Sequence, residues 1–212
     1  KAALLVALLR LNGFEAYPVL IMNGPRKDAE VPQPFFNHAI VAVRESGGYR
    51  LMDPTDENTR ELFPAYLANQ SYLVADPEGQ PLRTSPVAPY AEHLVRVHTQ
   101  ASLDDALRLR ATTTLDFDGI NDNVYRGFFV RQTPGEIRAY FERNLRQIWP
   151  GARLERLAIR PANLMDTEQP LRAQLDYTVE DFGQVQAGQV LLPLKGLGSA
   201  VGLVNFILDG LG

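Results

Sequence analysis

Two short apolar runs separated by a glycine-containing turn constrain this chain more than any other feature. Residues 37–44 (Asn37-His38-Ala39-Ile40-Val41-Ala42-Val43-Arg44) and 49–52 (Tyr49-Arg50-Leu51-Met52) flank Glu45-Ser46-Gly47-Gly48. Strand-forming runs joined by so short a turn predict an antiparallel hairpin. With Arg44 opposite Tyr49 and a two-residue turn at Gly47-Gly48, Asp53 falls opposite Ile40, and His38 is its diagonal neighbour. Diagonal positions share a sheet face with Cβ atoms about 7 Å apart, close enough for a carboxylate to reach an imidazole. An odd-length loop or a bulge would put them on opposite faces. In the predicted arrangement Asp53 fixes the imidazole tautomer, leaving the other ring nitrogen of His38 to serve a nucleophile as base. Taken alone, the two residues also fit a satisfied core histidine and an Asp-Pro strand terminator.

The hairpin sits inside an α+β pattern. Residues 1–12 are apolar around nearly the whole helical circumference apart from Arg10, and such a helix is expected to be covered on most sides by protein. It lacks a Ser, Thr, Asp or Asn cap, which points to a natural chain continuing upstream of Lys1; Gly13 is the expected stop. Strands are expected at 15–22, 37–44 and 49–52, with a polar, proline-bearing loop at 23–34 long enough to be a functional flap. A short helix is expected over 62–68. Pro81, Pro86 and Pro89 mark a connector, so the expected domains are 1–85 and 90–212.

In the second domain, alternation predicts a strand at 107–117 with a Thr-rich solvent face, then a helix over 121–132 capped by Asn121 or Asp122. Thr133-Pro134-Gly135-Glu136 has the form of a capping box opening a helix that runs to Ile148. Further strands are expected at 153–159, 171–179 and 183–192. The Gly-rich apolar tail, 196–212, is expected to continue beyond Gly212.

Composition excludes several classes. At 212 residues, 45% of them hydrophobic, the chain can bury one large or two modest cores. Net charge is -4 and the 21 basic residues are scattered, so no positive stripe exists for nucleic acid. No run approaches the roughly 18 apolar residues that span a bilayer, so the chain is expected to be soluble. Residues 2–9 lack a small-residue cleavage site and read as a core helix, not a signal peptide. With no cysteine, disulfides and thiolate metal sites are excluded. His93 and His98, five apart in a predicted strand, point to opposite faces. Asp104, Asp105, Asp116, Asp118 and Asp122 lack the spacing of a calcium loop. The Gly196–Gly202 stretch lacks the lysine and hydroxyl that follow a phosphate loop's glycines. No metal and no cofactor are expected. Tyr140, Phe141 and Trp149 read as core.

The apolar helix ending at Gly13, then His38-Ala39 followed by alternating apolar residues, then a glycine turn and an aromatic strand ending Asp53-Pro54-Thr55, resembles the transglutaminase-like superfamily of cysteine acyltransferases and peptidases. Asp53-Pro54-Thr55-Asp56-Glu57-Asn58-Thr59 is similar to a bacterial branch that flanks this core with β-rich domains of unknown role. The resemblance covers residues 1 to about 60. It implies part of a papain-like cysteine hydrolase core with an antiparallel sheet, followed by a β-rich accessory domain, of sandwich type, with one or two helices. It implies His38 as base and ion-pair partner, Asp53 as its orienter, and a nucleophilic cysteine at the helix N-terminus just before Lys1. There the helix dipole and an imidazolium would favour a thiolate. Substrates would be protein or peptide amides, and the setting the bacterial envelope. The chain as given, lacking the sulfur, is expected to be inactive, and the apolar surface of residues 2–11 is expected to be covered by another chain, as in a homodimer. The other reading is a non-catalytic protein- or glycan-binding module.

Overall fold

The computed structural model is described over residues 1–24, 36–193 and 195–209, the side chains of 208 and 209 aside. It divides into two compact units, residues 1–90 and 91–212. The protein is mixed α+β, with four α-helices and antiparallel sheets among the described residues.

The first unit comprises α1 (Ala2–Leu11), β1 (Ala16–Ile21), β2 (His38–Glu45), β3 (Gly48–Met52), β4 (Ser71–Val74) and β5 (Arg83–Thr84). Its sheet has the order β3-β2-β1-β4-β5. Arg44 pairs with Tyr49 as the hairpin pattern requires, and Glu45 pairs with Gly48. The turn is therefore Ser46-Gly47, one residue earlier than expected. Its even length keeps the parity on which the His38–Asp53 geometry depends. The expected helix over 62–68 reduces to one 3-10 turn, Ala65–Leu67, behind Pro64. The proposed flap lies almost entirely outside the described residues. Its base does not: Asn37 Oδ1 accepts from the Asn23 N–H at 2.7 Å, and Asn37 Nδ2 donates to the Asn23 carbonyl at 2.8 Å.

One face of this sheet is buried along its length and the other only where α1 packs on it, Pro18, Leu20 and Ala39 staying exposed. Tyr17, Val19, Ile21, Ile40, Ala42, Leu51, Leu67, Tyr72 and Val74 form one core, while Val41 joins Ala2 and Val6 of α1 in another, with Met52 packed against it. Each fully buried Val, Leu or Ile contributes about 2 kcal/mol. The second core thus fastens α1 by a single stripe. Leu4, Leu8 and Leu11 remain exposed, so this chain by itself covers the helix along that stripe only.

The second unit comprises β6 (Val95–Leu103), β7 (Leu109–Phe117), α2 (Ile120–Val130), α3 (Pro134–Ile148), β8 (Ala152–Arg160), β9 (Arg172–Val179), β10 (Gln184–Gln186), β11 (Gln189–Leu191) and α4 (Leu203–Asp209). The four long strands form one sheet in the order β6-β7-β9-β8. Alternation on β7 and β9 sends Leu109, Ala111, Leu115, Phe117, Ala173, Leu175, Tyr177 and Val179 into a core shared with Tyr125, Phe129, Ile137, Tyr140, Phe141 and Leu145 of α2 and α3. The opposite face is polar. Among the described residues the four-stranded sheet is backed by helices and not by a second large sheet, the only other one being the two-stranded β10–β11, and the unit carries three helices where one or two were expected. The run 183–192 is a short hairpin instead of one strand, because Ala187 and Gly188 turn it with positive φ.

Local chemistry accounts for the helices. In α3, Thr133 Oγ1 accepts from the Glu136 N–H while Glu136 Oε2 accepts from the Thr133 N–H at 2.7 Å, the reciprocal capping box read from sequence. The start of α2 differs from expectation. Its N-cap is Gly119, and the Ile120 N–H donates to His93 Nδ1 at 3.2 Å. Asp122, an expected cap, is instead buried and pairs with Arg126 at 2.7 Å.

Candidate functional site

The hairpin brings the predicted pair together. His38 opens β2 and Asp53 follows the last residue of β3, and their side chains meet with Nε2 to Oδ2 at 2.8 Å. Asp53's side chain is 0% exposed and His38's 19%, so the imidazole shields the carboxylate and is itself the group open to solvent. A buried carboxylate must have its oxygens satisfied. Here Oδ1 accepts from the Thr55 N–H at 2.9 Å and from Thr55 Oγ1 at 2.6 Å, an Asx turn. Tyr66, carried by the 3-10 turn, approaches Oδ2 at 3.4 Å. The Asp53 N–H donates to the Leu62 carbonyl at 2.7 Å, fixing the backbone beneath the carboxylate.

The electrostatics follow from these contacts. Burial works to raise the Asp53 pKa, but the hydrogen bonds from Thr55 and His38 outweigh it and hold the carboxyl below its ordinary value. Tyr66 moves the other way. Burial first, then the charges of Asp56 and Asp53, push its phenol well up, so it stays a neutral donor beside the carboxylate. With Nε2 engaged, Nδ1 is the nitrogen of His38 that has no hydrogen bond among the described residues. This matches what a general base requires: one ring nitrogen anchored, the other available.

The pair stands at one end of the sheet. Strand alternation gives His38 the parity of Ile40, whereas Val41 faces α1. The N-terminus of α1 lies at this same end, because Lys1 forms an ion pair with Glu57, four residues past Asp53. Sequence reasoning missed Thr55 and Tyr66 as supports. Thr55 was accessible, since Asp-x-Thr is the pattern of an Asx turn, but Tyr66 comes from a 3-10 turn that no periodicity announces.

The remaining candidates scatter. His93 precedes β6 and caps α2, while His98 lies within β6. Among the described residues, no group of three or more His, Cys, Asp or Glu side chains is arranged to hold a metal ion. No described helix is long and apolar enough to cross a membrane. No protein-family model, curated protein or solved structure matches the chain.

Proposed function

We propose that residues 1 to about 60 carry the base and orienter of a transglutaminase-like cysteine acyltransferase, amidohydrolase or peptidase acting on protein or peptide amides in the bacterial envelope. The observation that carries this reading is the 2.8 Å contact between His38 Nε2 and a fully buried, Thr55-braced Asp53 carboxylate. A surface ion pair has no need of such a braced partner; an imidazole that must keep one tautomer does.

In this reading a cysteine before Lys1 supplies the sulfur, at the end of the sheet where α1 begins. His38 Nδ1 takes the thiol proton. The thiolate attacks the amide carbonyl, the C–N bond breaks, and His38 returns the proton to the departing ammonia or amine. Water or a second amine then cleaves the thioester. Asp53 stabilises the imidazolium in both half-reactions and stays ionised, as its lowered pKa favours.

The test uses the chain expressed with whatever its gene encodes directly before Lys1. A cysteine there, with ammonia release from glutamine peptides that His38→Ala lowers at least 100-fold, supports the reading. Equal rates in both proteins remove His38 from the mechanism, and Ala, Ser or Gly in place of the cysteine favours the non-catalytic module.

A further inference from the structure

The polar face of the second unit's sheet disposes of most of its arginines in ion pairs, row by row. Asp116 on β7 faces Arg172 on β9, and the two are bonded. Asp176 on β9 faces Arg156 on β8 at 2.7 Å and also accepts from Thr112 of β7 at 2.9 Å. Arg108 pairs with Glu180 at 2.9 Å. One row holds two arginines and no acid. Arg110 on β7 and Arg153 on β8 both face Thr178, from the two sides of β9. Where the neighbouring rows place an acid, this row places a hydroxyl. Arg110, Arg153 and Thr178 have no side-chain hydrogen bond or ion pair among the described residues.

The row borders an open concavity of about 470 Å³, lined also by Arg108, Arg146, Glu155 and the Pro150–Ala152 backbone. Of the four arginines there, Arg108 is engaged by Glu180 and Arg146 by Glu142, which leaves Arg110 and Arg153 against the single carboxylate of Glu155. Arg110 and Arg153 stand two strand spacings apart, about 10 Å at the backbone. Two long guanidinium arms can close that gap around one anion, presenting paired N–H donors. The Thr178 hydroxyl between them offers a further donor. Three separated donors suit a tetrahedral oxyanion better than a planar carboxylate.

We infer that Arg110, Arg153 and Thr178 form a binding site for a phosphate group, borne by a soluble phosphate ester or by a lipid headgroup. The site lies wholly in the second unit and stands independently of the His38 chemistry.

The experiment titrates the full chain with inorganic phosphate, following amide and guanidinium NMR shifts, and in parallel measures co-sedimentation with phosphatidylglycerol and phosphatidylcholine vesicles. Saturable phosphate binding is expected to perturb Thr178 and both arginines. Arg110→Gln and Arg153→Gln should each weaken it at least tenfold, and Arg172→Gln, on the same face but already paired, by less than twofold. These exposed side chains leave the fold intact, which circular dichroism verifies. Retention on phosphatidylglycerol that the same two variants abolish assigns the phosphate to a lipid; phosphate binding without vesicle retention assigns it to a soluble ester. Absence of binding to both probes, or equal weakening by all three variants, overturns the site.

Discussion

Asp53 is decided at the level of single atoms. Its two oxygens accept from His38, Thr55 and Tyr66, and its pKa lies below the ordinary value because the bonds from Thr55 and His38 outweigh burial. A carboxyl whose folded pKa is depressed stabilises the native state above its unfolded pKa, about 3.9, and loses that contribution as pH falls through the folded value. Thr55→Val removes the hydroxyl bond, while the packing volume changes little. It should cost about 2 kcal/mol near neutral pH, the worth of a hydrogen bond to a charged group. The deficit should shrink as pH drops from about 4 through the lower folded value of Asp53, beneath which the carboxyl is protonated in both proteins. Urea unfolding as a function of pH measures it; a deficit constant across that range would show that Thr55 acts by packing and not through the carboxylate.

Elements set by neighbouring residues were legible in the sequence, and those set by distant ones were not. The β2–β3 hairpin and α3 depend on a short turn and on Thr133–Glu136, all local chemistry, and both form in the register read, the hairpin with its turn one residue earlier. The start of α2 depends on His93, from before β6, so no pattern within the helix could announce it. Arg126 was equally hidden: an i,i+4 pair with Asp122 usually marks a solvated face. Yet Asp122, Tyr125, Arg126 and Phe129 fall at i, i+3, i+4 and i+7, which put the pair on the apolar stripe. The two helix starts should respond differently to mutation. Thr133→Ala removes one cap and should cost about 1 kcal/mol. Gly119 has φ +53°, and a Cβ there would lie 2.2 Å from His93 Nδ1 and 2.3 Å from the Glu92 carbonyl. Gly119→Ala must therefore displace backbone as well as adopt a left-handed conformation. Chemical denaturation should show it losing more than Thr133→Ala; the reverse order would refute the close approach at α2.

At the scale of the whole molecule, each unit has its own core, and the second depends on a charge pair that no solvent reaches. Arg126 is 0% exposed, and besides Asp122 its guanidinium donates to the carbonyls of Leu164, Asp166 and Gln169. Asp122 also accepts from the Leu171 N–H at 2.7 Å. The pair therefore ties the β8–β9 connection to α2, while Asn121 and Tyr125 of the same helix accept from the N–H groups of Leu203 and Gly202 at the start of α4. Arg126→Met preserves apolar volume but leaves the Asp122 carboxylate buried without its cation, a loss of about 3 kcal/mol. For a domain of this size that lowers the melting temperature by on the order of 10 °C. The chain's single tryptophan reports on this unit alone, because Trp149 is buried and stacked on Tyr177 at 5.8 Å. The fluorescence melt of Arg126→Met should shift by that amount, whereas Thr55→Val, in the other unit, should leave the Trp149 transition in place. A Trp149 transition displaced by Thr55→Val in proportion to its own cost would mean that the units unfold as one, and that the buried pair serves the whole chain and not only the sheet beneath α2.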